Sequence, residues 1–316
     1  MALDFSRLSL GEIRTRFLSG DEPVSPHLLR RLQRDPRQGA QKLHQALRRR
    51  CEREREERLR LDAMLNFERV LWRSGVKHVA GVDEAGTGPL AGPVVAAAVV
   101  FPPGTELAGV DDSKRLAPEQ RTTLAVRIRE LAAGVGIGVA EVDEIDRLNV
   151  HHAALLAMRR AVEALPMRPD HLLVDARKVD LDVPQNAFQK GDGLDFSIAA
   201  ASIIAKTHRD ALMDELDARF PGYGFARHKG YATADHQRAV QRLGLSPIHR
   251  RSFSFLKELR GEYSALFYQL KGRLDAARLR QELTAFEAEL DGHRDGLEER
   301  EHRKLRLVLT RRWKLL

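Results

Sequence analysis

The stretch GVDEAGTGPLAGPVVAAAVV, Gly81 to Val100, sets the problem of the whole chain. Two adjacent carboxylates, Asp83 and Glu84, close an apolar run; a glycine loop follows, and a second apolar run begins at Val94. Two chemistries compete for these residues. Gly86, Gly88 and Ala91 fit the G-x-G-x-x-A loop that cradles a dinucleotide, and Asp111 and Asp112 lie about twenty residues on, where the ribose-binding acid of that fold sits. On that reading the protein is a nicotinamide-dependent oxidoreductase. A dinucleotide loop needs a helix starting at its glycines, however, and GPVVAAAVVF opens on Pro93 and runs on in β-branched residues. Strand, loop, strand is the expected order. The acids then need their own explanation, because VAGVD is too apolar a strand to carry them for solubility. Neighbours on a strand point to opposite faces, so both reach one site only if the chain bends there, which Gly86 and Gly88 permit.

Further along, HLLVD ends in Asp175, and Asp192 in QKGDG precedes a long helical run. Each acid alone reads as a turn residue or a helix cap. Recurring at strand ends, they point to one cluster, because open α/β sheets bind ligands beyond the carboxyl ends of their strands. Clustered carboxylates repel one another unless a cation neutralises them, and hard oxygen ligands select Mg²⁺ or Mn²⁺. Two such ions about 4 Å apart can hold the attacking water and the leaving oxygen of a phosphodiester.

The composition is compatible with that chemistry. Lys+Arg number 53 against Asp+Glu 45, a formal charge of +8 that favours a polyanionic partner such as nucleic acid, although many basic proteins bind none. The 316 residues, 43% hydrophobic, suffice for one large domain with appendages or two modest ones. Cys51 is the single cysteine, which excludes an internal disulfide and a cysteine zinc site and suits a reducing cytosol. MALDFSRLSLGEIRTRF lacks the apolar core of a leader, and no stretch reaches the ~20 apolar residues of a membrane span. A cytoplasmic monomer without a membrane partner is expected.

Three regions follow from the texture of the chain. Residues 1–75 form a charged helical extension, in which LRRRCEREREERLRLDAMLNFERVLWRSG reads as one long helix docking through Leu59, Ala63, Phe67 and Leu71. That extension either packs on the main domain or adds sequence-independent affinity for nucleic acid. Residues 76–260 hold strands at VAGVD, VVAAAVVF, GVGIGVAEV and HLLVD, and helices at 116–133, 149–165 and 198–220. The glycine-rich third strand implies crowding. The fold class is α/β, a mixed sheet flanked by helices, and residues 261–316 form a basic helical region interrupted at DGHRDG.

In this order, GVDEAGTGPLAGPVVAAAV, DDSKRL, LLVDARKV, QKGD, SIAAASIIAKTHRD, YGFARHKGY and PIHRRSF resemble type 2 ribonuclease H, the bacterial ribonuclease HII family, over roughly residues 77–258. The resemblance implies a ribonuclease-H-like fold and two-metal hydrolysis of the RNA strand in RNA-DNA hybrids. It also implies incision 5′ to a ribonucleotide embedded in duplex DNA, and helical extensions at both ends. Asp83, Glu84, Asp175 and Asp192 match the metal-binding acids. Gly86, Thr87 and Gly88 match the loop that reads the ribose 2′-hydroxyl through its backbone, and Tyr231 matches the tyrosine that stacks on the following sugar. Ser113, Lys114, Arg250 and Arg251, with His249, match segments near the nucleic-acid strands. Two departures stand out: Thr87 replaces the usual Arg between the glycines, and Ala176-Arg177 follows Asp175 where the family has Gly and Asn. The rival to an enzyme is a non-catalytic nucleic-acid-binding protein with an inert central domain.

Overall fold

The computed structural model describes residues 8–315; residues 1–7, part of the stretch read above for a leader, lie outside them. The chain divides into two compact units. The first comprises residues up to Gly86, Val94–Ala140 and Ala154–Ala211; the second comprises Thr87–Pro93, Glu141–Ala153 and the chain from Leu212 onward. No described helix is long and apolar enough to cross a membrane.

The first unit is built on a mixed sheet of β1 (Val79–Ala85), β2 (Val94–Val100), β3 (Gly134–Ala140), β4 (His171–Asp175) and β5 (Gln185–Phe188), in the order β3-β2-β1-β4-β5. β1 pairs antiparallel with β2, and β2 antiparallel with β3; β1 and β5 both pair parallel with β4. The four strands expected from the sequence are present, and β5 is an addition. Its sequence, QNAF, is short, polar and exposed, as befits the edge of a sheet, and it lacks the apolar run that reveals a buried strand.

Both faces of this sheet are covered, and glycines decide how closely. The ladder sets Gly81, Ala97, Val99 and Leu173 on one face, and Ala98, Gly136 and Gly138 on the other. Against the first lies helix α8 (Phe196–Arg219), whose Ser197 backbone leaves no room for a Cβ on Gly81. Against the second lies α7 (Val150–Glu163): a Cβ on Gly136 or Gly138 would overlap the carbonyls of Ala161 and Ala157. The crowding expected of the third strand is therefore real. α5 (Pro118–Leu131), with Pro118 in its first turn, packs Ala125 and Ile128 into the same core as Ala97, Val99 and α8.

The extension folds as α1 (Leu10–Ile13), α2 (Pro26–Arg34), α3 (Gln38–Met64) and α4 (Asn66–Arg73). Ile13, Phe17, Leu28, Leu32, Leu43 and Leu47 form a core of their own near its start. The expected single helix breaks at Leu65, and its docking face differs from the one read in the sequence. Leu59 is 60% exposed and Phe67 is exposed, whereas Leu61, Met64, Leu65 and Glu68 are buried. These four also recur at helical spacing, but the face contains a glutamate, which in a charged helix reads as solvated. Leu61, Met64 and Leu65 share a core with α8, so the extension is not a detachable arm.

Glu68 is fully buried, and its Oε1 accepts hydrogen bonds from Ser197 N (3.1 Å) and Ser197 Oγ (2.7 Å), while Asp195 caps the same helix by accepting from Ile198 N at 3.0 Å. Glu68 Oε2 and Asp195 Oδ2 have no donor, and a proton held between the two carboxyls would satisfy both. Burial raises the Glu68 pKa; burial and then the Glu68 charge raise that of Asp195 well above the usual carboxylate range.

The second unit carries α6 (Val142–Leu148), α9 (Phe225–His228), α10 (Ala234–Leu243) and α11 (Ser254–Leu259), followed by α12 (Ala265–Ala276), α13 (Arg280–Gly292) and α14 (Glu299–Leu315). The last three enclose a separate core of Tyr263, Phe267, Leu270, Leu283, Phe286, Leu305 and Leu309. At its entry Glu301, buried, accepts from Ser264 N (2.6 Å) and Ser264 Oγ (3.0 Å).

The shared proton generates a stability test. Because the folded pKa values are raised, the native state holds a proton that the unfolded chain has released, and stability falls as pH rises above the ordinary carboxylate range. Glu68→Gln keeps the acceptor for Ser197 and supplies a permanent donor to Asp195, so it should match or exceed wild-type stability and flatten this alkaline loss. Glu68→Ala should cost about 1–3 kcal/mol at pH 5 and less as pH rises. Urea melts between pH 5 and pH 9 measure both; a Gln variant as unstable as the Ala variant would exclude the shared proton.

Candidate metal centre

The position of the acids follows from strand register. β1 and β4 run parallel with Val82 opposite Val174, and the next step of that register sets Asp83 beside Asp175, on the same face. Asp175 ends β4, and Asp83 stands two residues before the end of β1, each directly after buried residues. Glu84 follows on β1, paired in the β1–β2 ladder with Ala96. Oxygen atoms of Asp83, Glu84 and Asp175 lie within 4.8 Å of one another, the one such group of potential metal ligands among the described residues. The ladder continues regularly through both acids to Ala85, and the turn at Gly86 comes after them. The bend expected at the two acids is thus absent, and their oxygens converge although they follow one another on a regular strand.

Each acid is held individually. Asp83 is buried and accepts from the backbone N–H of Glu84 at 2.7 Å, and the Ser202 hydroxyl is close enough to favour its charged form. Ser202 Oγ lies 2.9 Å from Ser113 Oγ. Ser113, expected near substrate, is buried and acts instead behind Asp83, through Ser202. Asp175 accepts from Gly191 N at 2.6 Å, which ties the end of β4 to the turn Gly191–Gly193 that carries Asp192. Asp192 does not join the three converging oxygens: it is buried and receives the Lys114 ammonium at 2.7 Å. Its charge is nonetheless close enough to raise the pKa of Asp175. Ala176, next in the chain, sits at a φ of 60°, a left-handed conformation that the glycine of the family pattern adopts without cost.

The electrostatics are those of crowded like charges. Burial, then the Glu84 and Asp175 charges, push Asp83 well above the usual carboxylate range; burial and the Asp175 charge raise Glu84 to about 7. Partial burial disfavours the Lys114 charge, yet the hydrogen bond and charge of Asp192 outweigh it, raising the lysine pKa. A donor set of carboxylate oxygens alone, short of counter-charge, fits a hard divalent cation and neither a soft metal nor a zinc thiolate site. It also accounts for three strained titrations that no structural role requires.

Gly86 lies at a φ of 96°, and the guanidinium of Arg209, buried in α8, occupies the space where a Cβ would stand. Arg209 went unnoticed in the sequence, where it looks like one more charge in a helix. The dinucleotide reading fails here, because β2 rather than a helix follows the loop.

The remaining predicted residues belong to the second unit. Thr87 is half-exposed and Gly88 exposed, and the Tyr231 ring lies 3.7 Å from where a Gly88 Cβ would stand. Tyr231 is 45% exposed, so it is not a core tyrosine. Arg250 corrects an expectation. It is 0% exposed, and its guanidinium donates to the carbonyls of Gly92 (2.9 Å), Thr87 (3.2 Å) and Pro93 (3.2 Å). Arg250 therefore pins the loop that carries Thr87 and Gly88, and is not available to a phosphate. In a run of basic residues the two roles look alike. Arg251 is exposed, its backbone N–H held by Asp146 at 2.9 Å, and His249 is buried.

Comparison with known proteins agrees with this geometry. A family model described as ribonuclease HII matches residues 80–256, and one described as ribonuclease HII N-terminal domain matches residues 9–72. The ribonuclease HII of Myxococcus xanthus is 53% identical over 255 residues, covering 80% of this chain and 87% of its own. That of Geobacillus thermodenitrificans is 48% identical over 233 residues, covering 74% and 90%. The crystal structure of ribonuclease H2 from Pyrococcus horikoshii aligns with a TM-score of 0.51 at 26% identity, over 58% of this chain and 98% of that one. With the acids placed at the ends of β1 and β4 in a mixed sheet, these matches establish that the chain belongs to the ribonuclease HII family and is an RNase H endonuclease.

Proposed function

We propose that this enzyme cuts both the RNA strand of RNA-DNA hybrids and the phosphodiester 5′ to a single ribonucleotide embedded in duplex DNA, in the service of ribonucleotide removal. We assign it two divalent ions, Mg²⁺ or Mn²⁺, bound together with substrate. The observation that carries this reading is the register that crowds Asp83, Glu84 and Asp175 within 4.8 Å. When bound, such ions lower the pKa of an attacking water and neutralise the departing 3′-oxygen, giving a 5′-phosphate and a 3′-hydroxyl.

The chain's own residues do the rest. Asp83, fixed by Glu84 N, would hold the ions together with Glu84, Asp175 and Asp192, all through carboxylate oxygens. Lys114 holds Asp192 in place and balances part of the negative charge before metal arrives. Recognition is assigned to the backbone of Gly86, Thr87 and Gly88 and to Tyr231, because the 2′-hydroxyl is the group that distinguishes RNA from DNA. Gly88 supports this assignment: it is exposed, and only the ring of Tyr231 comes within 4 Å of a Cβ there, at ordinary contact distance, so no internal crowding demands a glycine. A glycine there leaves the backbone open to close approach by a ligand. Arg251 and Lys114, both exposed, are the basic side chains open to phosphates, whereas Arg250 acts through the loop. A cytoplasmic monomer remains the expected setting.

Two experiments test the reading. In chelator at pH 8, Asp83→Asn should melt above wild type, because one of the mutually repelling charges is gone, and Mg²⁺ or Mn²⁺ should stabilise wild type but not the variant. The same variant should lose cleavage of a duplex with one ribonucleotide by ~10³-fold or more while still binding it. Near-wild-type cleavage would remove Asp83 from the mechanism. Thr87→Arg restores the family's charge beside the loop; it should tighten substrate binding and steepen the log-log salt dependence by about one unit without moving the cut. Unchanged affinity and slope would mean that this side chain faces away from the phosphates.

A further inference from the structure

Behind Tyr231 the second unit buries three imidazoles, His228, His236 and His249, packed around Phe225. Nothing in the cleavage chemistry uses them. Their hydrogen bonds determine every ring proton. Ser246 N–H can only donate, and it meets His249 Nδ1 at 2.9 Å, so Nδ1 carries a lone pair and the ring proton is on Nε2. At the other end the Tyr231 carbonyl can only accept, and it lies 2.9 Å from His236 Nδ1, which therefore carries its proton there. Between them, His249 Nε2 and His236 Nε2 stand 3.1 Å apart. The two assignments, made from opposite ends, agree: His249 donates and His236 accepts. A further proton on either ring would set two N–H groups head to head, and burial accordingly pushes both pKa values down to about 4. His228 is fixed in the same way, accepting from Gly230 N at 3.2 Å and donating to the Tyr223 carbonyl at 2.8 Å, with its ring stacked on His236 at 4.3 Å.

The end of this relay is the turn that presents Tyr231. The Tyr231 carbonyl receives both His236 Nδ1–H and Thr233 N–H, its own N–H donates to His228 O, and the preceding Gly230 carbonyl accepts from Leu90 N at 2.8 Å. Lys229 and Gly230 both lie at positive φ, 50° and 82°, so the turn is one the chain would not hold unaided. From it the exposed Tyr231 ring stands against Gly88. We propose that His236 and His249 are positioning residues, a proton-ordered pair that fixes the Tyr231 backbone and thereby aims its ring at the substrate sugar. This rests on the assignment of Tyr231 to substrate recognition made above. A pair of apolar rings would fill the same space but would leave the Tyr231 carbonyl with one donor, Thr233 N–H, and the turn less firmly held.

Amide substitutions separate aiming from packing. His236→Asn sets an amide N–H where Nδ1 stood and keeps the bond to Tyr231. His236→Gln sets its amide at the Nε2 position, which keeps the contact with His249 and loses Tyr231. Cleavage of a duplex with one ribonucleotide is followed at saturating metal, with KM and kcat resolved and melting curves in parallel. The Gln variant should lose ~10-fold in kcat and the Asn variant less than about threefold, at similar melting temperatures. Combining His236→Gln with Tyr231→Ala should be no worse than Tyr231→Ala alone, since both remove one function. Equal losses in Asn and Gln variants, or losses that multiply in the double variant, would overturn the relay while leaving Tyr231 a substrate contact. Full activity in Tyr231→Ala would overturn the Tyr231 assignment and the relay with it. Should His236→Gln fail to fold, His249→Leu against His249→Gln poses the same contrast from the donor side, with Gln expected to retain activity and Leu to lose it.

Discussion

The structure depends on a repulsion. Parallel register between β1 and β4 sets Asp83 beside Asp175 at the end of a buried sheet, and Glu84 joins them, so three carboxylates face one point with little counter-charge. Left alone, such a cluster takes up protons, as the raised pKa values record. The surrounding groups limit this without abolishing it: Gly191 N–H on Asp175, Ser202 on Asp83, and Lys114 on the neighbouring Asp192. A fuller set of donors would make a more stable protein and a poorer cation site. The sheet can bear the strain because its central strands β1 and β2 are otherwise apolar and buried.

The buried polar side chains away from that cluster share a second logic, in which each is spent on backbone. Arg250 donates to three carbonyls of the glycine loop, Glu68 accepts from the first turn of α8, and His236 donates to the carbonyl of Tyr231. Burying such groups is costly unless they are fully bonded, and a loop tied in this way has few alternative conformations. Rigid presentation of short irregular segments is what a nuclease that must hold its substrate in one geometry requires.

This division explains what could be read from the sequence. Acids that interrupt apolar strands are conspicuous, so Asp83, Glu84 and Asp175 stood out, and the order of strands and helices gave the fold class. Charged side chains that the fold buries leave no such mark. Glu68 lies in a helix full of Glu and Arg, Arg209 lies in a charged helical turn, and Arg250 lies in a basic run; in each case the neighbours suggested solvent or phosphate. Their burial depends on which helix face meets the core, and a face that includes a glutamate, as at Glu68, does not announce itself in a charged helix. β5 escaped notice for the opposite reason, being an edge strand with polar residues.

Strand β3 carries a consequence of another kind. At Gly136 and Gly138 the carbonyls of α7 occupy the volume in which a first side-chain carbon would sit. No smaller residue exists to step through, and the helix cannot retreat without uncovering the alanines of β2 beneath it. Change at these two sites therefore meets a cliff rather than a slope, with no tolerated intermediates between glycine and collapse. The glycines record how close a helix and a sheet can come, and variation elsewhere in the domain is confined to sequences that preserve this separation.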